Sequence, residues 1–231
     1  MKIILRPTNM TRRYLEGMGI LLGMIFGAGV FALPYSVSKS GPWWGLLFFG
    51  TALFFILFLH LRFGEVAFGT PGLHRFAGYV RIWLGKKSEY LAMAVALFSY
   101  YGSLLVYGLL GGVFLANIFP FFNQFWWSII FWLASSLFFL LTLEKIGVVN
   151  FLLTFPLLIF VLLLAWLAAP YFKTENILVG SNRFWFLPYG VFLFSLSGFA
   201  AIPETSDIFR GSSLKSLKTV ITSSILLASL F

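Results

Sequence analysis

The chain has 231 residues, of which 60% are hydrophobic, 20% are aromatic and only 10% are charged. This composition excludes a soluble globular domain and indicates a polytopic membrane protein whose partners include membrane lipid. The sequence contains no cysteine, which excludes disulfides and thiolate metal sites. The net charge is +9, and the basic residues flank the apolar runs, which is typical of topology signals and not of a nucleic-acid-binding patch.

The uncharged runs of the sequence set the number of membrane spans. Residues 90–143 form an uncharged run of 54 positions, which at ~1.5 Å per residue gives roughly 80 Å of helix. Because one span needs only about 30 Å, the run contains two spans, and Pro120, Asn123 and Gln124 mark the turn between them. The other runs complete an all-α fold of six full membrane helices and part of a seventh, predicted over residues 14–38, 42–66, 89–118, 125–143, 147–171, 184–209 and 215–231.

The basic residues predict the orientation. With a cytoplasmic N-terminus, 13 of the 16 lysines and arginines lie inside, and only Lys39, Lys173 and Arg183 lie outside. We therefore expect an integral protein of the cell membrane (plasma or inner membrane) with its N-terminus in the cytoplasm. Residues 72–85, which are apolar at helical spacing with basic residues between, predict a short amphipathic helix on the cytoplasmic surface.

One six-residue pattern, G-x-x-A-[LI]-P, occurs in the middle of the first span (29–34) and again in the sixth (198–203). Glycine and proline interrupt a helix, and peptide groups freed at mid-membrane must line a cavity or bind a ligand. The span with the second copy starts five helices after the start of the span with the first copy, and five is an odd number. The second copy therefore runs through the membrane in the opposite sense, which is typical of an inverted-repeat transporter. The alternative is a pair of packing glycines and proline kinks.

The interrupted helices predict a site for a zwitterion. If the chain unwinds before Val30, the first N–H groups of the following half-helix face the gap and attract a carboxylate. Pro34 is expected near the end of that first turn, where its missing donor costs least. In the sixth span, carbonyls near Ser195 and Ser197 end a half-helix and can accept from an ammonium group.

Three segments carry a family resemblance. Residues 23–35 (Gly-Met-Ile-Phe-Gly-Ala-Gly-Val-Phe-Ala-Leu-Pro-Tyr) resemble the first helix of amino acid permeases in the amino acid–polyamine–organocation superfamily. Residues 189–204 resemble the sixth helix and residues 74–79 the first cytoplasmic loop of those permeases. The chain is most similar to the amino acid/auxin permease and the aromatic amino acid (tryptophan/tyrosine) permease groups.

The resemblance implies a leucine-transporter-like fold of two inverted five-helix repeats, with helices 1 and 6 broken, and transport by alternating access. Within one transmembrane domain (1–231), residues 14–171 would form the first repeat and 184–231 the start of the second. The implied substrate contacts are Gly27, Ala28 and Gly29 for the carboxylate, Ser195, Ser197 and Gly198 for the amine, and Phe194 and Phe199 for the side chain. Val30, which follows the first three, is a further substrate-binding candidate.

Single polar residues within the spans are further candidates. Tyr101 is expected either to reach the bound carboxylate or to pack in the core. His60 is expected to be buried and hydrogen-bonded, with a proton relay as the alternative. Four acids are candidates for proton coupling or for pairing at a gate, because carboxylates inside a membrane commonly serve these purposes: Glu204, Asp207, Glu16 and Glu65.

Together these features predict a secondary active amino acid transporter driven by a proton or sodium gradient, with no metal site and no organic cofactor. Charged residues are missing at mid-membrane between residues 90 and 172, which favours a neutral substrate, aromatic or large and apolar. The two histidines and scattered acids predict no enzyme site. Because the implied fold needs ten core helices, we expect an N-terminal fragment of a permease. The alternatives are a truncated protein without transport activity and a same-fold transporter of polyamines or nucleobases.

Overall fold

The computed structural model describes residues 9–27, 29–140, 156–157, 159–171, 173 and 182–230. The regular elements of these residues are all helical, and no strand occurs among them, which confirms the all-α prediction. The main helices are, in chain order, α1 (Met10–Ile25), α2 (Gly29–Ser40), α3 (Pro42–Gly69), α4 (Phe76–Leu84), α5 (Lys86–Ile118), α6 (Gln124–Ser136), α7 (Ile159–Tyr171), α8 (Leu187–Ser195), α9 (Ile202–Ile208) and α10 (Leu214–Ser229).

Three segments are long and apolar enough to cross a membrane: α3, α5 and Leu187–Ile208, which combines α8 and α9. Helices α1 and α2 form a fourth such segment if they are taken as one span, bent by 52°. These are the first, second, third and sixth predicted spans. The first begins at Met10 and not at residue 14, because the Asn9 side chain accepts a hydrogen bond from the Thr11 N–H and caps the helix there.

The structure describes the fourth predicted span as far as Leu140. Helix α6 has 13 residues, about 20 Å of helix, and continues as the 3₁₀ turn Leu137–Leu140. The rest of the predicted fourth span, and the first part of the fifth, lie outside the described residues. The predicted surface helix is shorter than expected, because its regular part begins only at Phe76.

The chain divides into two compact units. The first unit, Met1–His74 with Phe151–Phe231, contains both interrupted spans. Within it, α8 packs on α3, α1 packs on α10, and α3 and α10 pack on each other. Small residues permit this close approach: Gly17 of α1 faces the side chains of Phe209 and Val220, and Gly64 of α3 faces Ile221.

The second unit, Arg75–Asn150, is built on α5, which packs against both α4 and α6. The turn between α5 and α6 is closed by the Trp127 indole N–H, which donates to the Phe119 carbonyl over 2.9 Å. An apolar groove of about 750 Å³ runs between α5 and α6. The single-domain prediction stays a prediction.

Candidate functional site

The first span is interrupted between Ile25 and Gly29, and we call this interruption the first break. Helix α1 ends with the Phe26 N–H donating to the Leu22 carbonyl over 2.8 Å, and α2 begins at Gly29. The Val30 N–H makes a long hydrogen bond of 3.3 Å back to the Gly27 carbonyl. The interruption therefore falls where the glycines predict it; Ala28 itself lies outside the described residues.

The predicted place of Pro34 in its helix is wrong. Because α2 already begins at Gly29, Pro34 is its sixth residue and lies in the second turn, not at the end of the first. At that position the missing N–H would have donated to the Val30 carbonyl, one turn back. Pro203 is different: it is the second residue of α9, where a backbone N–H has no partner inside the helix.

The sixth span is interrupted at residues 196–198, the second break. Helix α8 ends at Ser195, the chain passes through the 3₁₀ turn Phe199–Ala201, and α9 begins at Ile202. Within the part of the chain that the structure describes, the carbonyls of Leu196 and Ser197 accept no hydrogen bond. These two carbonyls are open acceptors at the end of a half-helix, the feature that the sequence predicts for binding an ammonium group.

The two breaks meet inside the first unit. A Cβ built on Gly29 would lie 2.7 Å from both the Cα and the Cβ of Ser195. A Cβ built on Gly198 would lie 2.9 Å from Cγ1 of Ile25, the last residue of α1. Both glycines are therefore required by close contact, and the repeated motif brings its two copies together in space.

A histidine on α3 holds the second break. The Gly198 N–H donates to Nε2 of His60 over 3.1 Å, and Nδ1 of His60 lies 2.7 Å from the Ile56 carbonyl oxygen. A backbone N–H only donates and a carbonyl only accepts, so the ring is neutral with its proton on Nδ1. His60 is 1% exposed, which confirms the prediction of a buried, hydrogen-bonded histidine.

The side chains predicted for the amine contact have different environments. Ser195 is 4% exposed, and its hydroxyl donates to the Phe192 carbonyl of its own helix over 3.2 Å. Ser197 is half-buried in the second break, and Gly198 has its N–H engaged by His60. Ser197 is thus the most accessible of these three residues.

The aromatic residues predicted near the substrate also differ. Phe199 stacks on Phe63 of α3, with ring centroids 4.3 Å apart and an interplanar angle of 14°. Phe194, next to the end of α8, is 40% exposed. Tyr101 lies in the second unit, where it is exposed on α5 and lines the apolar groove with Leu105.

Charged side chains gather at the end of the first unit where α9 leads into α10. Asp207, one of the candidate acids, pairs with Arg210, with 2.8 Å between Nε of the arginine and Oδ1 of the aspartate. Arg210 also donates to the carbonyls of Thr70 and Gly72, beyond the end of α3, and its own carbonyl accepts from Arg13 of α1 over 3.5 Å. Arg210 thereby connects three segments of the chain.

The remaining candidate acids have different surroundings. Glu65 pairs with Arg62 at 3.0 Å and with Lys218 of α10 at 2.5 Å. Glu16 pairs with Arg12 one turn earlier on α1, at 2.7 Å on an exposed face. Glu204 is half-buried in the first turn of α9, where the helix dipole favours a carboxylate.

Two residues of the site are not among the predicted substrate contacts: His60 and Phe63, both on α3. The sequence does carry a signal for His60, because it is the one ionisable residue inside the otherwise uncharged run 40–61. Phe63 gives no comparable signal, since one phenylalanine among 30 is not distinctive.

Comparison with known proteins gives one match. No curated protein and no solved structure matches the chain significantly. The model of the tryptophan/tyrosine permease family matches residues 10–226, a range that contains both breaks, His60 and nearly all of α10. The chain therefore belongs to the tryptophan/tyrosine permease family, whose members are amino acid permeases of the membrane.

Proposed function

We propose that the chain binds a zwitterionic aromatic amino acid at the two breaks and moves it across the membrane by alternating access, driven by a proton or sodium gradient. Membership of the tryptophan/tyrosine permease family supports the substrate class. The physical support comes from the breaks themselves, which are the best indication of a binding site in this class of transporter.

One observation carries the proposal: the contact between Gly29 and Ser195 brings two half-helix ends of opposite polarity together. Helix α2 begins at Gly29, so its N-terminal partial positive charge faces the breaks and favours a carboxylate. Helix α8 ends at Ser195, and the open carbonyls of Leu196 and Ser197 favour an ammonium group. A molecule that carries an ammonium group and a carboxylate group on the same carbon matches this pair.

The surroundings of the second break favour an aromatic side chain. Phe194 is exposed immediately before Ser195, and Phe199 and Phe63 form a stacked pair directly after the break. Rings in contact with a ring add about 0.5–1.5 kcal/mol to the burial of apolar surface. Glu204, the acid nearest to this segment in sequence, belongs to the following helix and is our candidate for proton coupling.

The packing of the first unit supports the inverted-repeat fold. If the first span corresponds to the sixth and the second to the seventh, then α1 corresponds to α8 and α3 to α10. The packing of α8 on α3 and of α1 on α10 are then equivalent contacts, and α3 against α10 lies at the centre. With a cytoplasmic N-terminus, the ion pairs around Arg210 lie on the cytoplasmic side and are suited to close a gate.

Uptake of labelled tryptophan or tyrosine into vesicles containing the protein tests the proposal. We expect unlabelled tryptophan, tyrosine and phenylalanine to compete. Tryptamine, which lacks the carboxylate, and indole-3-propionate, which lacks the amine, should compete at least tenfold less well, because each loses one charged partner of the site. Competition by putrescine or adenine, or equal competition by tryptamine, would contradict the proposed substrate.

A further inference from the structure

His60 is joined to the second break by more than one contact. Its ring accepts the Gly198 N–H and also meets the Phe199 ring edge-on, with centroids 5.6 Å apart and an interplanar angle of 87°. Phe63, one turn further along α3, stacks on the ring of Phe199. Helix α3 therefore holds two consecutive residues immediately after the open carbonyls.

Helix α1 also packs closely against Gly198. Ile25 and Leu21 of α1 approach the glycine so closely that an added Cβ would lie 2.9 Å from Cγ1 of Ile25. The second break is thus in contact with α1 and is hydrogen-bonded to the imidazole of α3. A segment without regular hydrogen bonds would otherwise be free to move, which lowers affinity for any ligand that depends on its carbonyls.

We propose that His60 is a positioning residue of the substrate site, which fixes the Leu196 and Ser197 carbonyls through its hydrogen bond to Gly198 and thereby sets substrate affinity. The inference rests on the proposed function, because it assigns those carbonyls to the substrate. The ring acts as a neutral acceptor: both of its nitrogens are engaged, and an imidazolium has no lone pair for the Gly198 N–H. In this arrangement neither nitrogen of His60 is free to take up a proton.

Two substitutions of His60 separate the hydrogen bond to Gly198 from the other contacts of the side chain. In His60→Asn, the amide group lies near the position of Nδ1, so the bond to Ile56 is retained and the acceptor for Gly198 is lost. In His60→Gln, the amide oxygen reaches the position of Nε2 and keeps that acceptor. We expect His60→Asn to raise KM about tenfold with the maximal rate within about twofold, and His60→Gln to restore KM to within about threefold.

A second measurement does not depend on transport. The chain contains no cysteine, so Ser197→Cys introduces a single thiol into the second break. We expect a small charged methanethiosulfonate reagent to label it at least threefold faster with His60→Asn than with His60→Gln or with the native histidine. Ser38→Cys, at the exposed end of α2, is the control and should label equally in all three backgrounds.

The outcomes distinguish this inference from the proposed function. If KM is the same in His60→Asn and in the native protein, or if His60→Gln is as impaired as His60→Asn, the positioning role is overturned. Equal labelling of Ser197→Cys in all backgrounds also overturns it. If no background takes up an aromatic amino acid, the proposed function fails. Faster labelling in His60→Asn alone would then still support the role of the Gly198–His60 hydrogen bond in fixing the second break, but not the assignment of the substrate.

Discussion

Gly29 and Ser195 lie in direct backbone contact across the two interrupted spans: a Cβ on Gly29 would come within 2.7 Å of the Ser195 Cα and 3.0 Å of its backbone nitrogen. The atoms in the way belong to the main chain at the end of α8, which cannot rotate aside as a long side chain can. Each break therefore depends on the other for its position, and a substitution in the first should be felt in the second.

Gly29→Ala is expected to lower uptake at least tenfold, because the added methyl group prevents α2 and α8 from returning to the contact seen in this conformation, and overpacking of this kind costs about 1–3 kcal/mol. Uptake normalised to the amount of protein in the membrane measures the effect. Gly50→Ala on α3 is the matched control, since nothing lies within 4 Å of its added Cβ, and it should retain native uptake. Equal activity of the two variants would contradict the contact.

Gly198→Ala is also expected to lower uptake, but for a different reason: the added Cβ would lie 2.9 Å from Cγ1 of Ile25. Here the obstacle is a side chain, so a second substitution can relieve it. We expect Ile25→Ala to restore at least a third of native uptake when combined with Gly198→Ala, although Ile25→Ala alone removes a buried side chain and is itself destabilising by about 2–5 kcal/mol. A double variant no better than the worse single variant would rule out this steric explanation.

Gly17 and Gly19 allow a comparison within one helix. A Cβ on Gly17 would lie 2.9 Å from Cε2 of Phe209 and 3.2 Å from Cγ1 of Val220, whereas a Cβ on Gly19 meets nothing within 4 Å. Gly17→Ala should therefore lower the free energy of unfolding by about 1–3 kcal/mol. Gly19→Ala should be neutral or raise it by up to about 1 kcal/mol, since alanine favours helix over glycine. Thermal denaturation in detergent distinguishes the two.

Arg210→Ala should destabilise the first unit by about 2 kcal/mol, because it leaves Asp207 without its ion-pair partner and removes donors to the Thr70 and Gly72 carbonyls. Arg210→Lys should recover only part of this loss, since an ammonium group lacks the planar fork of the guanidinium.

The control for Arg210 is Arg12→Ala, which breaks the pair with Glu16. Both side chains of that pair are largely exposed, 69% and 41%, so the change in unfolding free energy should stay within about 0.5 kcal/mol. The same denaturation measurement serves both variants. An effect of Arg12→Ala as large as that of Arg210→Ala would argue against a special role for the Arg210 contacts.

The positions of the breaks were predictable from the sequence because their signals are local. Glycine and proline disfavour a helix wherever they occur, so the two copies of the motif locate the interruptions to within one or two residues. The register of Pro34 was not predictable in this way. It depends on whether α2 begins at Gly29 or one residue later, and the motif alone does not determine that.

The contacts between distant segments were the least predictable part of the site. Nothing in the sequence links His60 to Gly198, which are 138 residues apart, or selects Lys218 as a partner of Glu65. Such pairs follow from how α3 packs against α8 and α10, and packing is a property of the whole unit. A single sequence can identify His60 as unusual but not the group that it binds.

The contact of Gly29 with Ser195 also limits the space that is available for a ligand between α2 and α8. Two main chains that already touch leave no volume between them for a molecule of amino acid size, so occupancy requires α2 and α8 to separate. We therefore expect the loaded protein to be the more expanded of two conformations. A pair of spectroscopic labels, one on each of these helices, would register loading as a longer distance.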